Sequence, residues 1–223
     1  IDNSLLSEGE NVIYVHAKDE AGNWGPFETA IITKDTTPPT ITDIQTIYPT
    51  DQHTVREGQT ITIKANVTEE NIDSVVANCS ALGAGAIEMT LESGNTYSCQ
   101  CTLVNTSGDF NATIHVTATD IAGNSDTDSA NVTVDNTPPT AEITSPSDGD
   151  VVSGAITVTT TATDSHLELV EFYIGTDLVD TNTSQNPTFA LDTTSYPNGE
   201  WILTINAYDD AGNINVSEGV AII

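Results

Sequence analysis

The chain has 223 residues, 33 of them acidic and 4 basic, a formal net charge of −29. Lys18, Lys34, Arg56 and Lys64 are too few and too scattered to neutralise a phosphate backbone, which excludes nucleic acid as a partner and disfavours anionic membrane surfaces. Two readings of the charge remain: a solvated surface, or acids grouped to hold hard cations such as Ca²⁺. Charged residues make up only 17% of the chain, so much of its polarity lies in Ser, Thr and Asn, which favour pleated surfaces and turns over helix interiors. An all-β chain is expected. No run of about 18 apolar residues is present, so no helical membrane span is predicted.

Self-comparison along the chain finds a repeat. AKDEAGN (17–23) recurs as ATDIAGN (118–124) and AYDDAGN (207–213), and DTTPPT (35–40) recurs as DNTPPT (135–140). This spacing predicts the C-terminal part of one unit (1–37), a complete unit (38–137) and a nearly complete one (138–223), cut from a longer protein. In the complete unit, alternating runs bounded by turn residues predict seven strands: Ile41–Tyr48, Ile61–Val67, Ile72–Cys79, Ile87–Leu91, Tyr97–Leu103, Ala112–Thr119 and Ala130–Asp135. Seven strands in about 100 residues is the count of an immunoglobulin-like sandwich. In the last unit, Leu169–Ile174 places Val170, Phe172 and Ile174 on one face. Trp201, Leu203, Ile205 and Ala207 share another, and both faces are assigned to the core between two sheets. The Pro-Pro pairs stiffen the chain between units.

A-x-D-x-A-G-N followed by D-x-T-P-P-T, with SPSDGDVVSG (145–154) and VEFYIGTDLV (170–179), resembles the bacterial and archaeal immunoglobulin-like tandem repeats of large surface proteins, of adhesin or surface-layer type. The resemblance covers essentially the whole chain. It implies fold more than task, because such repeats also occur as spacers in secreted hydrolases.

With the strands lettered A to G in chain order, the B–C and F–G loops gather beside the linker from the preceding unit. Asp120, Glu69 and Glu70 then face Asp35 at the first junction, and Asp209 and Asp164 face Asp135 at the second. Carboxylates gathered this way repel unless a cation sits among them, and Ca²⁺ accepts six to eight oxygens. One Ca²⁺ per junction, locking neighbouring units into a rod, is one reading; some related repeats bind Ca²⁺ at such junctions. The other is that Asp, Gly and Asn are good turn formers, with Gly22, Gly123 and Gly212 supplying positive φ.

Cys79, Cys99 and Cys101 lack zinc-ligand spacing, and a disulfide in an oxidising compartment is expected instead. Strands C and E run the same way, which favours Cys79–Cys101 over Cys79–Cys99 and leaves a buried thiol or an intermolecular link. Seven N-x-S/T sequons occur, at Asn66, Asn78, Asn105, Asn111, Asn131, Asn182 and Asn215. Strand parity points Asn66, Asn78, Asn111, Asn131 and Asn215 to solvent, as glycosylation needs, although polar residues on an outer face do the same without glycans.

Catalysis finds little support. His16, His53, His115 and His166 are dispersed, no nucleophile elbow or H-E-x-x-H is present, and Asp164 near His166 reads as a solvated loop pair. Trp201 falls on the inward phase; Trp24 either stacks on sugar or packs against a neighbouring loop. The chain is therefore expected to be a non-enzymatic, extracellular structural segment at the cell surface, a rod or lattice stalk. Its partners are neighbouring domains of the same longer chain, and identical chains in a lattice or filament. Carbohydrate-binding or spacer modules of a secreted hydrolase are the alternative, which an aromatic platform on a sheet face would favour.

Overall fold

The computed structural model describes residues 3–49, 52–104 and 106–223. Eighteen strands carry the fold: β1 (Gly9–Lys18), β2 (Trp24–Lys34), β3 (Thr40–Ile47), β4 (Thr60–Thr68), β5 (Ile72–Asn78), β6 (Ala86–Glu88), β7 (Thr90–Ser93), β8 (Thr96–Thr102), β9 (Phe110–Asp120), β10 (Ser125–Val134), β11 (Glu142–Ser145), β12 (Ala155–Thr161), β13 (Leu167–Ile174), β14 (Asp177–Asn182), β15 (Thr188–Asp192), β16 (Trp201–Asp209), β17 (Ile214–Val216) and β18 (Val220–Ile222).

β1 and β2 form a two-stranded antiparallel sheet. Beyond the first Pro-Pro pair, β3-β4-β8-β7 faces β10-β9-β5-β6, and beyond the second, β11-β12-β15 faces a sheet in which β14, β13 and β16 are followed by β17 and β18. These are immunoglobulin-like sandwiches, and the chain is all-β. Alternation explains the packing. In β4, Ile61, Ile63, Ala65 and Val67 are buried while their neighbours are not, and β9 does the same with Ala112, Ile114, Val116 and Ala118. One core runs from Ile41 to Val134 and a second from Ile143 to Ile222, the latter centred on stacked Phe172 and Phe189 with ring centroids 5.2 Å apart.

Three local differences from the sequence expectation have physical causes. The run Ile87–Leu91 divides at Met89: β6 pairs with β5 and β7 with β8, so this stretch crosses from one sheet to the other, with the Met89 amide donating to the Val75 carbonyl at 2.8 Å. The final strand of the middle sandwich starts at Ser125, ahead of its apolar residues, because the hairpin with β9 carries the pairing. In β17 the predicted parity reverses. Ile214 and Val216 are exposed, while Asn215 turns inward and its amide donates to the Pro139 carbonyl at 2.8 Å.

The loop before β4 is part of the fold. Val55 lies parallel to Val134, its amide donating to the Thr133 carbonyl and its carbonyl accepting from Asp135. In the last sandwich Asp150 lies parallel to Ile222, its carbonyl accepting from the Ile223 amide while the Gly149 amide donates to the Ala221 carbonyl.

Candidate functional site

The three A-x-D-x-A-G-N copies build one local structure. In each, the Asp amide donates to the carbonyl of the motif Asn, and the Gly amide to the Asp carbonyl. The Gly sits at positive φ, 93° in Gly22, 92° in Gly123 and 79° in Gly212, which glycine adopts at little cost. The Asp carboxylate then accepts twice from the Asn. In Asp120 the bonds are 2.9 Å from the Asn124 amide and 2.8 Å from its side chain; in Asp209 they are 2.8 and 2.7 Å from Asn213. The same two bonds join Asp19 to Asn23.

The Asn has a second partner. Asn124 Nδ2 donates to the Asp35 carbonyl at 3.2 Å, and Asn213 Nδ2 to the Asp135 carbonyl at 3.0 Å. The second and third copies thus tie their F–G turns to the backbone of the linker that precedes their own sandwich, which is why the motif and the linker recur together.

The two junctions match position by position. The residue after the motif Asp donates its amide to the B–C loop, Ile121 to the Asn71 carbonyl and Asp210 to the His166 carbonyl. Glu69 caps the Asn71 amide as Asp164 caps that of His166. Asn71 of the first junction therefore corresponds to His166 of the second, and the imidazole makes the difference. His166 Nδ1 lies 2.8 Å from Asp135 Oδ2, and Asp135, Asp164 and His166 present ligand atoms all within 4.8 Å of one another.

Among the described residues, the second junction is the one that groups potential metal ligands in this way. Asp35, Glu69, Glu70 and Asp120 form no comparable group: Glu70 is exposed, and Glu69 is engaged by the Glu70 and Asn71 amides. Protonation follows the same division. Burial pushes the Asp120 carboxyl up, but the Asn124 bonds and the turn amides outweigh it and hold it below the usual range. Its twin Asp209 is pushed above that range, by burial and then by the charges of Asp135 and Asp164, against the same Asn bonds. Asp135 is raised by burial and by Asp164 and Asp109, with the His166 and Thr137 bonds opposing.

The second linker is held from both sides. From the middle sandwich, Asp109 Oδ1 accepts from the Asn136 amide at 2.8 Å and the Thr137 hydroxyl at 2.9 Å, and Asn136 Oδ1 accepts from the Glu57 amide at 2.7 Å. From the last sandwich come Asn213, Asn215 and His166. The sandwiches also touch directly. Asp210 Oδ2 accepts from the amides of His53 and Thr54, at 2.6 and 2.8 Å, and from the Thr54 hydroxyl at 2.9 Å. Gln59 Nε2 donates to the Ala211 carbonyl at 3.1 Å, and Ala211 is fully buried.

Sequence reasoning selected the acids, set His166 aside as half of a solvated loop pair, and missed Asp210 and the motif Asn residues. The signal for the Asn was its presence in all three copies, and for His166 its place two residues after Asp164.

The cysteines are free thiols, all buried, where a Cys79–Cys101 disulfide was expected. Cys79 does meet Cys101: its thiol is pushed up by their hydrogen bond and by burial, and burial raises Cys99 to about 11. Asn78, Asn111 and Asn131 are exposed, Asn66, Asn182 and Asn215 are partly buried, and Asn105 lies outside the described residues. Trp201 is partly buried, its indole N–H donating to the Pro197 carbonyl at 3.0 Å and its ring meeting Tyr196. Trp24 is exposed.

Residues 139–205 match the family model described as a bacterial Ig domain. That match lies within the last sandwich. No curated protein matches the chain in sequence. Among solved structures, a 1.5-MDa bacterial ice-binding adhesin is 19% identical, covering 98% of this chain and 74% of that one, with a TM-score of 0.46. A Ca²⁺-stabilised adhesin of an Antarctic bacterium that binds ice is 20% identical over 96% of this chain and 56% of that one, with a TM-score of 0.45. The titin I-band fragment I67–I69 is 17% identical over 84% and 66%, with a TM-score of 0.47.

Proposed function

We propose that the chain is a structural segment of an extracellular surface protein, with units at 1–37, 38–137 and 138–223 acting as a stiff rod. The carrying observation is the second junction, where linker residues 135–137 and 139 are bonded from the sandwiches on either side while Asp210 spans between them. A junction held at this many points resists bending more than Pro-Pro stiffness alone provides. Small-angle scattering tests it: wild type gives the maximum dimension of a fixed array, and Asp210→Ala with Asn213→Ala broadens the distribution. An equally broad profile in wild type overturns the rod.

A divalent cation adds to this reading at the second junction. The donors there are mostly carboxylate oxygens, which suits Ca²⁺ better than thiolate- or imidazole-preferring metals. The fit is partial, since Asp209 already accepts from Asn213 at both oxygens and Asp135 from Thr137 and His166. Asp164 accepts at Oδ1 from the His166 amide and, with Asp135, supplies the ligands for the ion. The observation favouring it is the gathering of Asp135, Asp164 and Asp209: burial first, and then the charges of the neighbouring acids, raise Asp135 and Asp209, and a cation relieves the second of these. In an oxidising compartment Cys79 and Cys101 join, closing a loop of about 20 residues that contributes about 3 kcal/mol.

A further inference from the structure

The β1–β2 hairpin carries rings on the wrong side for a core. Aligned on the motif Asp, Asn11, Ile13, Val15 and Ala17 of β1 correspond to Ala112, Ile114, Val116 and Ala118 of β9, the four buried positions of that strand. The sandwich-facing side of the hairpin is thereby fixed, and the opposite side is the outer one. In β9 that outer side is Thr113, His115, Thr117 and Thr119. In the hairpin it is Val12, Tyr14 and His16, with Ile31, Phe27 and Trp24 across from them or beside the turn.

These side chains are open to solvent. Trp24 is 63% exposed, Tyr14 61%, Ile31 64% and Phe27 54%. They form a connected row: Tyr14 meets Phe27 edge-on at 5.4 Å, His16 lies 5.5 Å from Phe27 and 5.7 Å from Trp24, and Lys18 Nζ sits 5.3 Å from the Trp24 ring. Glu10 shares the face at its far end, but from Val12 to the turn the face holds no carboxylate, in a chain with 33 acids. Contiguous exposed apolar surface of this kind marks a recognition site.

We propose that this aromatic face binds the pyranose rings of a neutral polysaccharide. Size argues against a protein partner. At their exposures Trp24, Tyr14, Phe27 and Ile31 together present on the order of 500 Å² of accessible surface, below the roughly 800 Å² per side of a stable protein interface. A linear polymer needs only such a ribbon. Sugar rings offer a C–H face to aromatic rings and hydroxyls to polar tips, and Tyr14, His16 and Trp24 each supply both an aromatic body and a polar atom. Charge selects further: a neutral chain is not repelled by a net charge of −29, whereas an acidic one is, and Lys18 is the one formal charge on the stretch. The proposal stands independently of the rod reading, because it concerns the outer face of one hairpin and not a junction.

The test is affinity electrophoresis of the whole chain in gels holding xyloglucan, mixed-linkage β-glucan or galactomannan, with alginate as the acidic polymer. Retardation by at least one neutral polymer is expected, weakened about tenfold or more in Trp24→Ala and Phe27→Ala, the loss expected for removing a stacking ring. Thr117→Ala, at the matching outer position of β9, leaves it unchanged. In a Trp201→Phe background the remaining indole, Trp24, reports directly, and its fluorescence shifts with the same polymer, so a folding defect in the alanine variants is told apart from lost binding. No retardation by any neutral polymer, equal binding by Trp24→Ala, stronger retardation by alginate, or self-association of the chain abolished by Trp24→Ala would each overturn the proposal.

Discussion

At the residue scale, the chemistry of the repeated motif is a carboxylate held by the amide four positions later. The acid was legible in the sequence, since Asp recurs at a fixed place, but its partner was not, because an Asn closing a turn is explained by backbone preference alone. Truncating Asn213 leaves buried Asp209 without one of its two donors and the Asp135 carbonyl without its side-chain donor. Asn213→Ala keeps the backbone donor and loses the side-chain pair, a cost of about 2 kcal/mol for a buried charged acceptor. Asn23→Ala makes the same change around exposed Asp19 and costs little. Urea unfolding of the two variants separates these outcomes; equal effects would mean that the linker bond and the burial of Asp209 contribute nothing. The thiols give a second expectation at this scale. Cys99, raised to about 11, and Cys79, pushed up by Cys101, are protonated at pH 8, and Cys101, lowered by the bond from Cys79, is kept from reagent by its burial. In the reduced native chain iodoacetamide leaves them unmodified, and it labels all three once urea unfolds it, as intact mass reads out.

At the element scale, strand periodicity located the sheets because each buries one face, and it failed where burial was not the deciding force. β17 is short and pinned by its Asn215 bond to Pro139, so tertiary contact sets its parity. The run Ile87–Leu91 keeps its apolar-polar alternation straight through a sheet crossing, so the alternation does not mark where the chain changes sheet. The docking of the F–G turn onto His53 and Thr54 was invisible for a related reason: in the matching place of the middle sandwich stands Ile121, so the contact is not repeated. Burial pushes Asp210 up, but the His53 and Thr54 hydrogen bonds outweigh it and hold it below the carboxylate range. The unfolded chain therefore takes up the proton first as pH falls, so this contribution is complete above the ordinary carboxylate range and is lost as pH falls through the folded value. Asp210→Ala removes it at neutral pH, at about 2 kcal/mol. In calorimetry the last sandwich is expected to melt earlier and apart from the middle one. A single transition unchanged in temperature would show that the contact does not couple them.

At the scale of the whole molecule, the charge of −29 divides into acids that solvate the sheets and a few that the junctions gather, and the two junctions are unequal. The sequence made them alike, because it supplied acids to both and could not show that Glu69 is capped by its own loop while Asp135 and Asp209 are buried beside Asp164. The raised carboxyls work in the opposite sense to Asp210. The folded chain binds their protons first, so their contribution is greatest below the ordinary carboxylate range and is lost as pH rises through their folded values. At neutral pH the second junction therefore carries repulsion that a cation relieves, and the first does not. The expectation is one Ca²⁺ per chain in calorimetry after chelator treatment, not two. At a hundredfold excess over Kd a single site adds about 2.7 kcal/mol, a rise in Tm of about 5–10 °C for a chain of this length. Asp164→Asn removes a charge from the group while its side-chain oxygen still accepts from the His166 amide, so it abolishes the Ca²⁺ response yet melts no lower than wild type in chelator. Glu69→Gln, at the matching place of the first junction, responds as wild type. Two equivalents of Ca²⁺, or a response lost equally in Glu69→Gln, would return the two junctions to the symmetry that the repeat suggested. No Ca²⁺ response at all would leave the His166–Asp135 bond and the Asn213 clamp as what holds the second junction.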